Sequence, residues 1–165
     1  MSDETEDMDL DYEVQMKDEF LDCLRLVERL HRRLLDVIRN RLEEMGRTEL
    51  NPVQALLIYN IGDNEMTAGE LRTRGYYMGS NVSYNLKKLV EMGFISHEKS
   101  SHDRRSVRIS LTEKGKTIRA MVDRHYDEHV GEIMEDKLFS IEDFKDLRRG
   151  LRNLERFWSD QLRYT

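Results

Sequence analysis

Met16, Phe20, Leu24, Val27, Leu30, Leu34, Ile38 and Leu42 recur every three or four residues, which draws one apolar stripe along a continuous helix. The stripe predicts roughly 30 residues closing near Gly46, a rod of about 45 Å at 1.5 Å per residue. That is longer than a small lobe can cover, so the helix must pack against something beyond its own lobe. Ile141, Phe144, Leu147, Leu151, Leu154, Trp158 and Leu162 repeat the pattern at the other end of the chain, with Ser140 as its expected cap and Glu142 and Asp143 in the first turn. Two long amphipathic helices at the ends are what the rest of the fold must accommodate.

Between them the periodicity changes. Asn51 can cap a second helix with Pro52 at its first position and Gly62 at its end. Thr67 is expected to cap a short third helix through Leu71, and Val82, Leu86, Leu89 and Val90 place a fourth from about Gly79 to Met92, stopped by Gly93. Phe94 to Lys99 and Ser106 to Leu111 then read as two strands around a polar loop, because Val107, Ile109 and Leu111 alternate with Arg108 and Ser110. Thr112 and Glu113 start a fifth helix, marked by Ile118, Met121, Val122, Tyr126, Ile133 and Met134. The expected fold is mainly α with a small β-hairpin wing: a winged helix-turn-helix flanked by N- and C-terminal dimerisation helices.

Composition narrows the partners. The chain has 165 residues, a formal charge of -6 and a single cysteine, so no internal disulfide is possible and a reducing, cytoplasmic setting is expected. No apolar run is long enough for a bilayer, and the acidic start does not read as a signal peptide. The charge is uneven, with nine Lys and Arg against five Asp and Glu from Thr67 to Gly115. A basic lobe inside an acidic chain can bind phosphate while the remainder keeps the protein dissolved. Residues 1–12, rich in Asp and Glu, read as an acidic disordered tail.

Asp103-Arg104-Arg105 followed by Leu111-Thr112 and Gly115 reproduces the pattern D-x-R-x(5)-L-T-x-x-G. Leu50-Asn51-Pro52-Val53-Gln54, Thr67 to Leu71, Ser80 to Ser83 and Leu89 to Ile95 fall in register around it. In these motifs the chain resembles the MarR family of winged helix-turn-helix transcription regulators. The resemblance implies a homodimer on a pseudo-palindromic DNA operator. The sequence has no Gly-rich phosphate loop, no G-x-S-x-G elbow and no Cys-x-x-Cys, so neither catalysis nor a cofactor is expected. The resemblance makes 50–115 the DNA-binding domain and 13–49 with 116–165 the dimerisation region. It also implies that Ser80, Asn81, Ser83, Tyr84, Lys87 and Lys88 face the major groove, that Arg104 or Arg105 enters the adjacent minor groove, and that Asp103 braces the wing. The turn departs from the family pattern at Gly75, Tyr77, Met78 and Gly79, either by repacking or by letting the reading heads move.

Regulators of this kind usually repress by occluding polymerase and release DNA when a small-molecule effector binds. Tyr59, Leu35 and Met45 are possible linings of an effector pocket. Cys23 is either a small packed residue or an oxidant sensor. His125 and His129, one helical turn apart, are either packed and solvated or two ligands of a metal whose third ligand is His31. A winged-helix adaptor or antirepressor that binds protein instead of DNA is the rival reading, favoured by the acidic total and opposed by Lys87, Lys88, Arg104 and Arg105.

Overall fold

The computed structural model describes residues 2–62, 66–67, 70, 79–99 and 107–163. In chain order these form α1 (Ser2–Glu44), α2 (Pro52–Ile61), β1 (Met66–Thr67), α3 (Gly79–Glu91), β2 (Ile95–Lys99), β3 (Val107–Leu111), α4 (Glu113–Glu135) and α5 (Ile141–Arg163). Mainly helical architecture with a β wing is the fold expected from the residue pattern. No helix among the described residues is long and apolar enough to cross a membrane.

The chain divides into two units, Met1–Val122 and Asp123–Thr165. The first holds the core. Ile38 and Leu42 of α1, Leu57, Ile58 and Ile61 of α2, and Val82 and Leu89 of α3 are buried there with Phe94, Ile95, Ile109, Ile118 and Val122. Each comes from the stripe or alternation that the sequence shows, so burial of apolar area is what fixes these elements against one another.

Local chemistry sets their ends. Asn51 Oδ1 accepts from the N–H of Gln54 at 2.8 Å, and Gln54 Oε1 accepts from the N–H of Asn51 at 3.1 Å. This reciprocal cap, with Pro52 at the first position, starts α2. Gly93, at φ 76°, ends α3 and lets the N–H of Phe94 return to the carbonyl of Leu89 at 2.9 Å.

The sheet has the order β1-β3-β2 and is antiparallel throughout. In β2 and β3, Ile95 lies opposite Leu111 and Lys99 opposite Val107. Alternation then buries Ile109 and leaves Arg108 exposed, while the Ser96 and Ser110 hydroxyls meet at 2.6 Å. The third strand was not expected. Thr67, read as a helix cap, is the second residue of β1 opposite Arg108, and only Glu70 of the short helix lies within the described residues, where it is helical.

Helix α1 also starts earlier than the apolar stripe, at Ser2, so it includes the residues expected to be a tail. Carboxylates in the first turns of a helix are favoured by its dipole, and Glu is a good helix former. In the second unit, α5 has no buried residue. Ser140 caps it as expected: its Oγ and N–H donate to Asp143 Oδ2 at 2.6 and 2.7 Å, and the N–H of Asp143 donates back to Ser140 Oγ at 3.1 Å.

Candidate nucleic-acid interface

Helix α3 has two faces of different character. Val82 and Leu89 are buried, as expected, and Leu86 is half-buried. Asn85 is buried as well, a polar contribution to the inner face that apolar periodicity gives no sign of. On the outer face Ser83, Tyr84 and Lys87 are exposed, and this spacing puts them on adjoining turns of one surface. Ser80 and Asn81 belong to the first turn of α3, but their side chains lie outside the described residues.

Glu91 reaches both lysines. Lys88 Nζ is 3.0 Å from one carboxylate oxygen and Lys87 Nζ is 3.9 Å from the other. The hydrogen bond from Lys88, followed by its charge, lowers the Glu91 pKa, and the same hydrogen bond, then the charges of Glu91 and Tyr84, raises that of Lys88. Lys88 also lies 6.0 Å from the centre of the Tyr84 ring. All of this is at the surface, where such pairs contribute little and are screened by salt. A phosphate can therefore take the place of Glu91. The pairing was legible from the i+3 and i+4 spacing but was not drawn from the sequence.

Strand β2 of the wing packs beside this helix. Strands β2 and β3 hold the two ends of the loop 100–106, while Asp103, Arg104 and Arg105 themselves lie outside the described residues, as do Gly75, Tyr77 and Met78 of the turn. Lys114 has a structural role: it donates to the carbonyl of Met92 at 3.1 Å and stands 4.1 Å over the Phe94 ring. Between α3 and the sheet runs an apolar groove of about 400 Å³, lined by Ser83, Leu86, Lys87, Val90, Glu91, Ile95, His97 and Ile109.

The residues proposed to sense effectors are more scattered. Cys23 is exposed on α1, as is His31. Leu35 and Tyr59 are half-buried and Met45 is exposed. The His125 and His129 rings lie 4.2 Å apart between centroids, and His125 Nδ1 is 3.6 Å from Glu128 Oε2. No group of three or more His, Cys, Asp or Glu side chains is placed to hold a metal among the described residues.

Residues 50–115 match the model of a winged helix DNA-binding domain. Over 148 residues the chain is 34% identical to the exopolysaccharide II synthesis transcriptional activator ExpG of Rhizobium meliloti, covering 88% of this chain and 74% of that protein. The chain belongs to the MarR family of transcriptional regulators. The fold agrees: FabT of Streptococcus pneumoniae, solved in complex with DNA, superposes with a TM-score of 0.68 at 22% identity, over 86% of this chain and 99% of that one. The reduced form of MarR from E. coli gives 0.60 at 17% identity, over 79% of this chain and 93% of the other. This MarR-family protein is thus a DNA-binding winged-helix regulator, of a family that is not enzymatic, and the protein-only adaptor is not favoured.

Proposed function

We propose that this MarR-family regulator acts as a homodimer in the cytoplasm, binding a pseudo-palindromic operator with two α3 helices in successive major grooves and the wing arginines in the flanking minor grooves. The observation that carries the reading is the two-faced α3: Val82 and Leu89 fix the helix to the core while Ser83, Tyr84 and Lys87 are exposed on the other side. Ser80, Asn81, Ser83 and Tyr84 reach base edges or phosphate, Lys87 and Lys88 supply charge, Arg104 or Arg105 enters the minor groove, and Asp103 braces the loop.

In this reading 50–115 is the DNA-binding lobe, and 13–49 with 116–165 form the dimer. The uncovered stripes support it. Leu26, Val27, Leu30 and Leu34 on α1, and Phe144, Leu147, Leu151 and Trp158 on α5, are all exposed in the single chain. Exposed apolar area on this scale marks an interface, and a two-fold axis buries each stripe twice.

An operator overlapping a promoter makes the protein a repressor that a small molecule releases. The groove beside α3 supports ligand control, since an apolar molecule there would touch Ser83 and Lys87. The name of the Rhizobium relative describes an activator, which favours as second reading a site upstream of the promoter where polymerase is recruited. Footprinting on DNA from upstream of its own gene, followed by transcription in vitro, tests both. The proposal expects two protected half-sites about one helical turn apart. Protection overlapping the promoter with falling transcript supports repression, and upstream protection with rising transcript supports activation. A uniform, sequence-independent footprint contradicts the operator.

A further inference from the structure

One flank of α3 belongs neither to the core nor to the outer surface. A helix turns about 100° per residue, so the order around α3 runs from the buried Leu89 and Val82, through Leu86 and Val90, to Ser83 and Lys87 on the outer side. Leu86 is only half-buried and Val90 is 37% exposed, although both are apolar. Across from them, the alternation of β2 puts Ile95 and His97 on one side of the sheet, and the register sets Ile109 opposite His97. The groove of about 400 Å³ lies between these two rows.

Its size narrows the occupant. Small-molecule sites hold about 300–1,000 Å³, whereas a stable protein partner needs about 800 Å² of surface on each side. Leu86, Val90, Ile95 and Ile109 line it with hydrocarbon, so the body of the ligand is apolar.

The rim fixes the charge of its head group. Lys87 and Lys88 share the single carboxylate of Glu91. That carboxylate is engaged by the 3.0 Å hydrogen bond from Lys88, whereas Lys87 Nζ is 3.9 Å away, beyond hydrogen-bonding distance. Of Lys87 and Glu91, the two charged residues of the lining, the lysine is the less engaged. On the β2 side the exposed His97 adds an imidazole, which donates a hydrogen bond even when neutral. An anion complements this rim and a cation does not.

We propose that the groove binds a small apolar carboxylic acid, with its hydrocarbon on Leu86, Val90, Ile95 and Ile109 and its carboxylate on Lys87. Every lining residue belongs to the first unit of one chain, so a single protomer forms the site. The proposal names a ligand class for the control suggested above, and it rests on the operator reading only for its effect. Carboxylate and DNA phosphate compete for the same Nζ, and occupancy removes one phosphate contact.

Octanoate, octan-1-ol and octylamine, equal in chain length and different in charge, test it on the full chain without DNA. Methyl NMR shifts of Leu86, Val90, Ile95 and Ile109 report binding at the groove itself. The expected result is saturable shifts with octanoate, binding of the alcohol weaker by about threefold, the scale of one surface charge pair, and still weaker binding of the amine. Lys87→Gln should bring octanoate down to the alcohol, and Val90→Phe, which fills the groove from an exposed position, should abolish both. Fluorescence anisotropy with DNA from upstream of the gene then reads the competition. Octanoate should weaken wild-type binding several-fold and lower its log-log salt slope by about one unit, and should do neither in Val90→Phe. No shift at millimolar octanoate, shifts spread evenly over the surface, or equal affinity for acid, alcohol and amine overturns the site. Octanoate in the groove with DNA affinity unchanged overturns the competition. A wild type that binds no DNA sinks the operator reading instead, while the methyl shifts still decide the ligand site.

Discussion

A Cβ added to Gly115 would collide with the backbone carbonyl oxygen of Phe94 and crowd the Leu111 side chain. Around this close approach, the N–H of Thr112 donates to that same carbonyl at 3.1 Å, Thr112 Oγ1 donates to the carbonyl of Gly93 at 2.7 Å and accepts from the N–H of Gly115 at 3.2 Å. The Leu-Thr-x-x-Gly motif is therefore a joint: threonine ties the start of α4 to the end of α3, and glycine permits the contact. Its purpose is to place the wing and α3 at a fixed angle on the core.

Gly115→Ala must move backbone, because the obstructing atom is a carbonyl and not the end of a flexible side chain. The expected loss is about 1–3 kcal/mol, the range for overpacking, measured by denaturant unfolding. DNA affinity should fall further than stability alone accounts for, since the joint aims α3. Unchanged stability would mean that α4 can shift freely on Phe94.

Asn51→Ala removes the side-chain oxygen that accepts from the N–H of Gln54, one half of the α2 cap, and leaves in place the main-chain N–H that donates to Gln54 Oε1. The expected cost is about 1 kcal/mol. Denaturant unfolding read at 222 nm measures it, and a stability equal to wild type would show that Pro52 alone starts the helix.

Glu91→Gln frees Lys87 and Lys88 from the carboxylate they share. Fluorescence anisotropy should show tighter DNA binding, by several-fold, with a steeper salt dependence of about one unit in log-log slope for each lysine that gains a phosphate. The Lys88 pKa should fall back toward its ordinary value, because the hydrogen bond from Lys88 to Glu91 is the main cause that raises it. Weaker binding would show that Glu91 positions the lysines instead of competing for them.

Asp143 titrates below the ordinary carboxylate range because the hydroxyl and the N–H of Ser140 both donate to it. A carboxyl whose pKa is lowered by folding stabilises the fold above its unfolded pKa, and that contribution disappears as pH falls through the folded value. The start of α5 should therefore loosen in acid. Carbon-detected NMR titration of the Asp143 carboxyl checks this, and Ser140→Ala should return the group to ordinary behaviour. A pKa that Ser140→Ala does not move would contradict the cap as its cause.

Much of this was legible in the residues themselves. Val107, Ile109 and Leu111 announced the wing strand, and Asn51-Pro52 and Ser140 announced two helix starts, because those signals are local. Strand β1 was not legible: two residues cannot show alternation, and Met66 and Thr67 are a strand only through pairing with Ile109 and Arg108 far along the chain. The early start of α1 was hidden because its first turns are mostly Asp and Glu, so no apolar period marks them. Asn85 was missed for the opposite reason, being a polar residue on a buried face.

The central claim, that α3 and the wing grip DNA, is tested most directly by titrating DNA from upstream of the gene with wild type and with Arg104→Ala/Arg105→Ala over a range of salt. The account predicts tight wild-type binding with a steep salt slope, and a variant that folds normally but loses affinity and part of that slope. Wild-type affinity that ignores salt, or a variant indistinguishable from wild type, would contradict it.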